Sequence, residues 1–116
     1  MSQECIFCKI AQGVIPSKKI YEDETVFAFH DIHPQTPVHA LVIPKRHLTC
    51  LDDLAVADRA EAGHLLERVA HVARELGVAA EGYRTVINTR EHGGQEVAHL
   101  HIHILGGRKV GPMVCR

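Results

Sequence analysis

Histidine is the residue type here best suited to chemistry near neutral pH. In the run His99-Leu100-His101-Ile102-His103-Ile104-Leu105 it alternates with large aliphatic side chains. Imidazole can act as nucleophile, proton carrier or metal ligand because its pKa lies close to ambient pH. A period of two is the signature of a half-buried strand. Leu100, Ile102 and Ile104 would enter a core, while His99, His101 and His103 would share the other face, spaced about 6.5–7 Å apart. Three imidazoles on a rigid element are costly unless they are wet, paired, bound to metal or catalytic. An exposed, alternating polar face is the other reading of this pattern.

Three further features carry donor atoms. Cys5-Ile6-Phe7-Cys8 places two thiols at i and i+3, on one side of a helix. That is half of a tetrahedral zinc site. Two small buried side chains are the alternative, whereas a thioredoxin-like redox pair would need a preceding strand–helix unit that is absent. Cys50 and Cys115 lack such spacing and read as unbound thiols. Asp31 stands at a strand-to-loop corner, where its carboxylate could accept two hydrogen bonds from a ribose diol or only form a turn. Gly93 and Gly94, just before Gln95, let the backbone come close to a ligand.

The elements that must position these groups can be read from periodicity and punctuation. Residues 5–12 form a short helix that Ser2 can cap and Gly13 with Pro16 stops. Residues 19–22 and 25–30 read as strands joined by the acidic turn Asp23-Glu24, and residues 31–37 as a Pro-punctuated loop. His39-Ala40-Leu41-Val42-Ile43-Pro44 is nearly all apolar, as a central strand would be. A turn over residues 52–54 precedes the one long helix, residues 58–76. Leu65, Leu66, Val69, Ala73 and Leu76 form its apolar stripe, Asp58 with Glu61 a capping box, and Gly77 the stop. His64 and His71 on this helix are assigned no chemistry. Residues 83–88 make another strand, which leads through a polar connection to the histidine strand, residues 99–105. The expected fold is α+β: a mainly antiparallel sheet of about five strands, one long helix and a short N-terminal helix.

Composition narrows the function classes. The 116 residues are expected to form a single domain, residues 1–116, at 46% hydrophobic and 23% charged content. Thirteen basic against fourteen acidic residues give no net pull toward nucleic acid or membrane. No apolar run approaches the ~20 residues of a spanning helix. The N-terminus lacks the basic and apolar regions of a signal peptide, so a cytoplasmic location is expected.

The run GGQEVAHLHIHILGGR, residues 93–108, together with His30-Asp31-Ile32-His33-Pro34 and Pro44-Lys45-Arg46-His47, resembles the histidine triad (HIT) superfamily, whose signature is H-φ-H-φ-H-φ-φ with φ apolar. The resemblance is greatest to its Hint branch, the purine nucleoside phosphoramidases. It implies hydrolysis of AMP–amine or GMP–amine bonds through a covalent nucleotidyl-histidine. His101, flanked on both sides by possible orienters, would be the nucleophile. Its proton would be fixed by a neighbouring backbone carbonyl such as that of His99. His103 and Gln95 would donate to the phosphate or the departing group, with Gly94 alongside. Asp31 would bind the ribose, and Asn88 the phosphate. Ile6, Phe7, Ile10, Ile15, Phe29 and Ile32 would hold the base. Cys5, Cys8, His47 and His99 would complete a structural zinc site, and no cofactor would be needed for catalysis. Purine nucleoside monophosphates and their phosphoramidates would be the ligands, and a homodimer the assembly. The alternatives are a dinucleoside polyphosphate hydrolase of the same superfamily and a non-enzymatic nucleotide- or zinc-binding regulatory module. The fully histidine triad argues against a transferase, whose motif usually ends in glutamine. Two features depart from animal members. Glu96 stands where they carry serine, and the C-terminal segment holds no tryptophan.

Overall fold

Val26–His30 and Val38–Pro44 carry apolar side chains at odd and even positions alike, so a sheet built around them must be covered on both faces. The computed structural model, which describes residues 5–114, meets this demand with a helix on each side. In chain order the elements are α1 (Ile6–Ala11), β1 (Lys19–Glu22), β2 (Val26–His30), β3 (Val38–Pro44), α2 (Arg59–Glu75), β4 (Arg84–Val86), α3 (Arg90–Gly93) and β5 (Ile102–Gly106). The strands form one sheet in the order β1-β2-β3-β5-β4, each neighbouring pair antiparallel.

Alternation along each strand sorts the core into two layers. Val26, Ala28, Ala40, Val42, Ile102 and Ile104 pack under Leu65, Val69, Val72 and Ala73 of α2. On the opposite face, Phe27, Phe29, Leu41 and Ile43 pack against Phe7, Cys8 and Ile10 of α1. Glycine is required after α2, where Gly77 takes φ +76°; Val78 N–H then reaches the Ala73 carbonyl and Gly77 N–H that of Arg74. His64 ties α2 to the β1–β2 turn through Asp23 at 2.7 Å.

Several details differ from the sequence expectation. Ser2 and Cys115 lie outside the described residues. Cys5 is the N-cap of α1, its Sγ accepting from Cys8 N–H at 3.3 Å. Asp58 and Glu61 make no capping box: Asp58 accepts from Ala55 N–H, and both carboxylates bind Arg46. Leu66 is exposed, and Val72 takes its expected place under the sheet. The strand over residues 83–88 shortens to Arg84–Val86, and the polar connection after it holds α3.

The histidine run is only partly a strand. β5 begins at Ile102, because Leu100 N–H bonds to the Leu48 carbonyl at 2.6 Å and His99 N–H to that of Val97 at 2.8 Å, away from the ladder. His99 therefore sits in a bend, and His101 just ahead of the strand.

Candidate active site

The bend separates the jobs of the three histidines. Nδ1 of His101 lies 2.7 Å from the His99 carbonyl oxygen, which can only accept. In the neutral ring Nδ1 thus carries the proton, and Nε2 has the lone pair. Phe7 holds the ring edge-on at 5.1 Å, and His103 lies at 5.0 Å on a tilted plane.

His103 is oriented by a chain of partners across β3. The Gln35 backbone N–H donates to His39 Nδ1 at 3.0 Å, so a neutral His39 carries its proton on Nε2. That proton points at His103 Nδ1, 2.9 Å away. His103 is left with its own proton on Nε2. Burial, with His101 and His39 adding to it, lowers His103 to about 4, and burial also lowers His39 against the pull of Asp31. Both rings are therefore neutral at pH 7. The sequence reading took His39 only as the start of a strand. The available signal was a single polar residue in the otherwise apolar stretch up to Pro44.

A cavity of about 910 Å³ opens onto His101 and His103. Ile6, Phe7, Ile10, Ile15, Phe29 and Ile32 line it, together with Asp31, Asn88 and Gly94. Asp31 takes the His33 N–H on Oδ1 at 2.8 Å, and its Oδ2 stands 3.4 Å from His39 Nε2. Among the described residues no lysine or arginine lines this cavity.

Two residues expected at the site lie outside it. Gln95 holds its loop together: Oε1 accepts from Arg90 N–H at 2.8 Å, while Nε2 donates to the carbonyls of Thr49 and Val97 at 2.7 and 2.9 Å. The loop needs this tether, since Arg90 and Gly94 both take left-handed backbone angles, φ 57° and 77°. His99 faces away from the cavity and is fully buried.

The His99 ring instead joins Cys5, Cys8 and His47, whose ligand atoms all lie within 4.8 Å of one another. Cys5 Sγ is 3.2 Å and Cys8 Sγ 3.5 Å from His99 Nδ1, and Cys8 Sγ is 3.2 Å from His47 Nδ1. His99 Nε2 donates to the Pro44 carbonyl at 2.8 Å, which turns the Nδ1 lone pair toward the sulfurs. Burial, with the Cys5 thiol beside it, pushes the Cys8 thiol up to about 11, so a thiolate there calls for a cation. The donor set and its spacing fit a tetrahedral metal ion. Asp31, His39 and His103 are also mutually close, but the two rings there are hydrogen-bonded to each other.

Comparison with known proteins places these features in context. The family model described as HIT domain matches residues 12–110. The chain is 44% identical over 114 residues to the Escherichia coli purine nucleoside phosphoramidase, covering 98% of this chain and 96% of that one. Among solved structures, a histidine triad protein from Clostridium difficile superposes with a TM-score of 0.92 at 44% identity, covering 97% of each chain. A HIT family hydrolase from Clostridium thermocellum superposes with a TM-score of 0.94 at 39% identity, covering 99% of this chain and 100% of that one.

The neutral, half-buried His103 gives folding a pH signature. An unfolded histidine takes up its proton near 6.5, whereas His103 in the fold does so at about 4. Between those values the unfolded chain binds more protons, so this contribution is intact above pH 6.5 and is lost as pH falls toward 4. Urea unfolding at pH 7 and pH 5 should give a loss about 1 kcal/mol larger for the parent chain than for His103→Gln, once solvent screening of a half-buried ring is allowed for. Equal losses would place the proton uptake elsewhere.

Proposed function

The chain belongs to the HIT domain family, and we propose that it hydrolyses purine nucleoside 5′-phosphoramidates to the nucleoside monophosphate and a free amine. The observation that carries this reading is the His101 ring, with one nitrogen tied to the His99 carbonyl and the other left with its lone pair beside the cavity.

His101 Nε2 attacks phosphorus, the P–N bond breaks, and the departing nitrogen takes up a proton from solvent water, leaving as the amine. Water then cleaves the nucleotidyl-histidine and restores the ring. His103, fixed by His39 with a proton on Nε2, donates to a phosphate oxygen as charge develops. Asn88 and the backbone at Gly94 complete the phosphate cradle, and the apolar wall around Phe7 and Ile10 takes the purine. Asp31, with one oxygen already held by His33 N–H, offers the other to the ribose hydroxyls. Gln95 contributes by holding the loop that carries Gly94, and His99 by orienting His101.

Charge favours this substrate over a dinucleoside polyphosphate. A nucleoside phosphoramidate bears one negative charge at phosphorus, which neutral imidazole and amide donors can match. A polyphosphate bears several and calls for Lys, Arg or a metal ion, yet among the described residues neither Lys nor Arg lines the cavity.

Cys5, Cys8, His47 and His99 would hold a zinc ion with no open coordination position. The ion would therefore supply a cross-link between α1 and the sheet and no chemistry at phosphorus. A twofold homodimer fits the exposed Leu66 on α2 and the three-residue edge strand β4.

Turnover of adenosine 5′-phosphoramidate by the native chain should fall at least about a thousandfold in His101→Ala while AMP binding persists; undiminished turnover in that variant would remove His101 as nucleophile. Elemental analysis of the purified protein should find about one zinc ion per chain, and Cys8→Ser should lose it and melt at a lower temperature. Sedimentation should give twice the chain mass at micromolar concentration, and a monomer would refute the dimer.

A further inference from the structure

Beside the catalytic cavity lies a second groove of about 510 Å³, with Thr49, Arg90, Glu91 and Gln95 on its walls. Gly94 and Glu96 line both spaces, so the groove continues from the cavity at these two residues. Arg90 is drawn to Asp52 at 3.3 Å. Among the described residues neither Glu96 nor Glu91 of the same groove has a side-chain hydrogen-bond partner or an ion pair, whereas Asp31 on the cavity side accepts from His33 N–H and Asp52 faces Arg90. An unengaged carboxylate at the seam thus adds negative charge beside a cavity that no lysine or arginine lines among the described residues.

We infer that Glu96 is a specificity-determining residue, and that the groove beyond it receives the leaving group of a phosphoramidate whose amine carries a second, cationic nitrogen. This rests on the phosphoramidase reading above. With the nucleoside in the apolar part of the cavity and phosphorus at His101, the departing amine has to lie away from the base. The groove that opens at Gly94 and Glu96 is a space for it. A carboxylate there weakens binding of an anionic group and favours an ammonium a few ångströms past phosphorus. Because Glu96 is exposed, the attraction is that of a partly screened ion pair: several-fold, not several orders of magnitude.

The test uses two AMP conjugates of equal reach, one made with pentylamine and one with 1,5-diaminopentane. They are bound to the full chain carrying His101→Ala, so that neither is consumed. The diamine conjugate should bind about fivefold more tightly at low salt, and the preference should shrink as ionic strength rises. Adding Glu96→Gln should bring the ratio close to one, and Glu96→Lys should invert it, which a merely misfolded variant would not do. Equal affinities in the chain with Glu96 intact, or a preference that survives Glu96→Gln, would overturn the inference. If the native chain cleaves neither conjugate while the binding ratio holds, the phosphoramidase reading fails and the cation preference at Glu96 stands.

Discussion

The hydrogen bond from His101 Nδ1 to the His99 carbonyl is the contact on which the rest of the site depends. It exists because the chain bends at His99 before entering β5. In a continuous strand, that carbonyl would point along the ladder and be unavailable to the ring two residues on. The bend is held by Leu100 N–H on the Leu48 carbonyl and by the His99 ring, anchored between Pro44 and the Cys5–Cys8 pair. One residue therefore serves two sites: the ring of His99 belongs to the cysteine cluster, and its carbonyl sets the tautomer of His101.

A second chain of hydrogen bonds explains why the His39 and His103 imidazoles can sit side by side in a largely buried place. Each proton from Gln35 N–H through His39 to His103 has one acceptor, and no buried side-chain N or O among the described residues lacks a partner. Charging any of these rings would put a second proton on a nitrogen that now accepts, which is why burial holds them neutral. Neutrality is also what the chemistry of His101 needs, since a protonated ring is no nucleophile.

Much of this was legible in the sequence, and the gaps have physical causes. The alternation of His with Leu and Ile pointed to the correct face for His101 and His103, because side-chain direction along an extended chain depends only on parity. It could not reveal that His99 leaves the strand, since the Leu48 carbonyl that captures Leu100 N–H is 52 positions away in the chain. The continuous apolar run of β3 announced a sheet buried on both faces, and that same run hid His39, whose partner His103 lies on a neighbouring strand. Gln95 could be placed near the site from its position, but not aimed: its amide turns to the carbonyls of Thr49 and Val97, and a loop that holds itself shut leaves no local signature. The stripe on α2 was misjudged by one position at Leu66 because a helix presents about 100° per residue and the sheet covers only part of its circumference.

The two buried layers of the sheet also explain why the site sits where it does. The α2 face is filled by aliphatic side chains to completion, whereas the α1 face is covered by a helix of only six residues. Such a helix is too short to be stable alone, and the Cys5–Cys8–His47–His99 cluster fastens it at one end. Alongside it, between Ile6, Phe7 and Ile10 of the helix and Phe29, His39 and His103 of the sheet, the cavity occupies space the short helix leaves unfilled. A longer helix would have filled the space and a looser one would have lost the wall that carries Ile6, Phe7 and Ile10. The short, pinned helix is therefore a condition for the cavity, into which His101, just ahead of β5, His103 on β5 and His39 on β3 are presented.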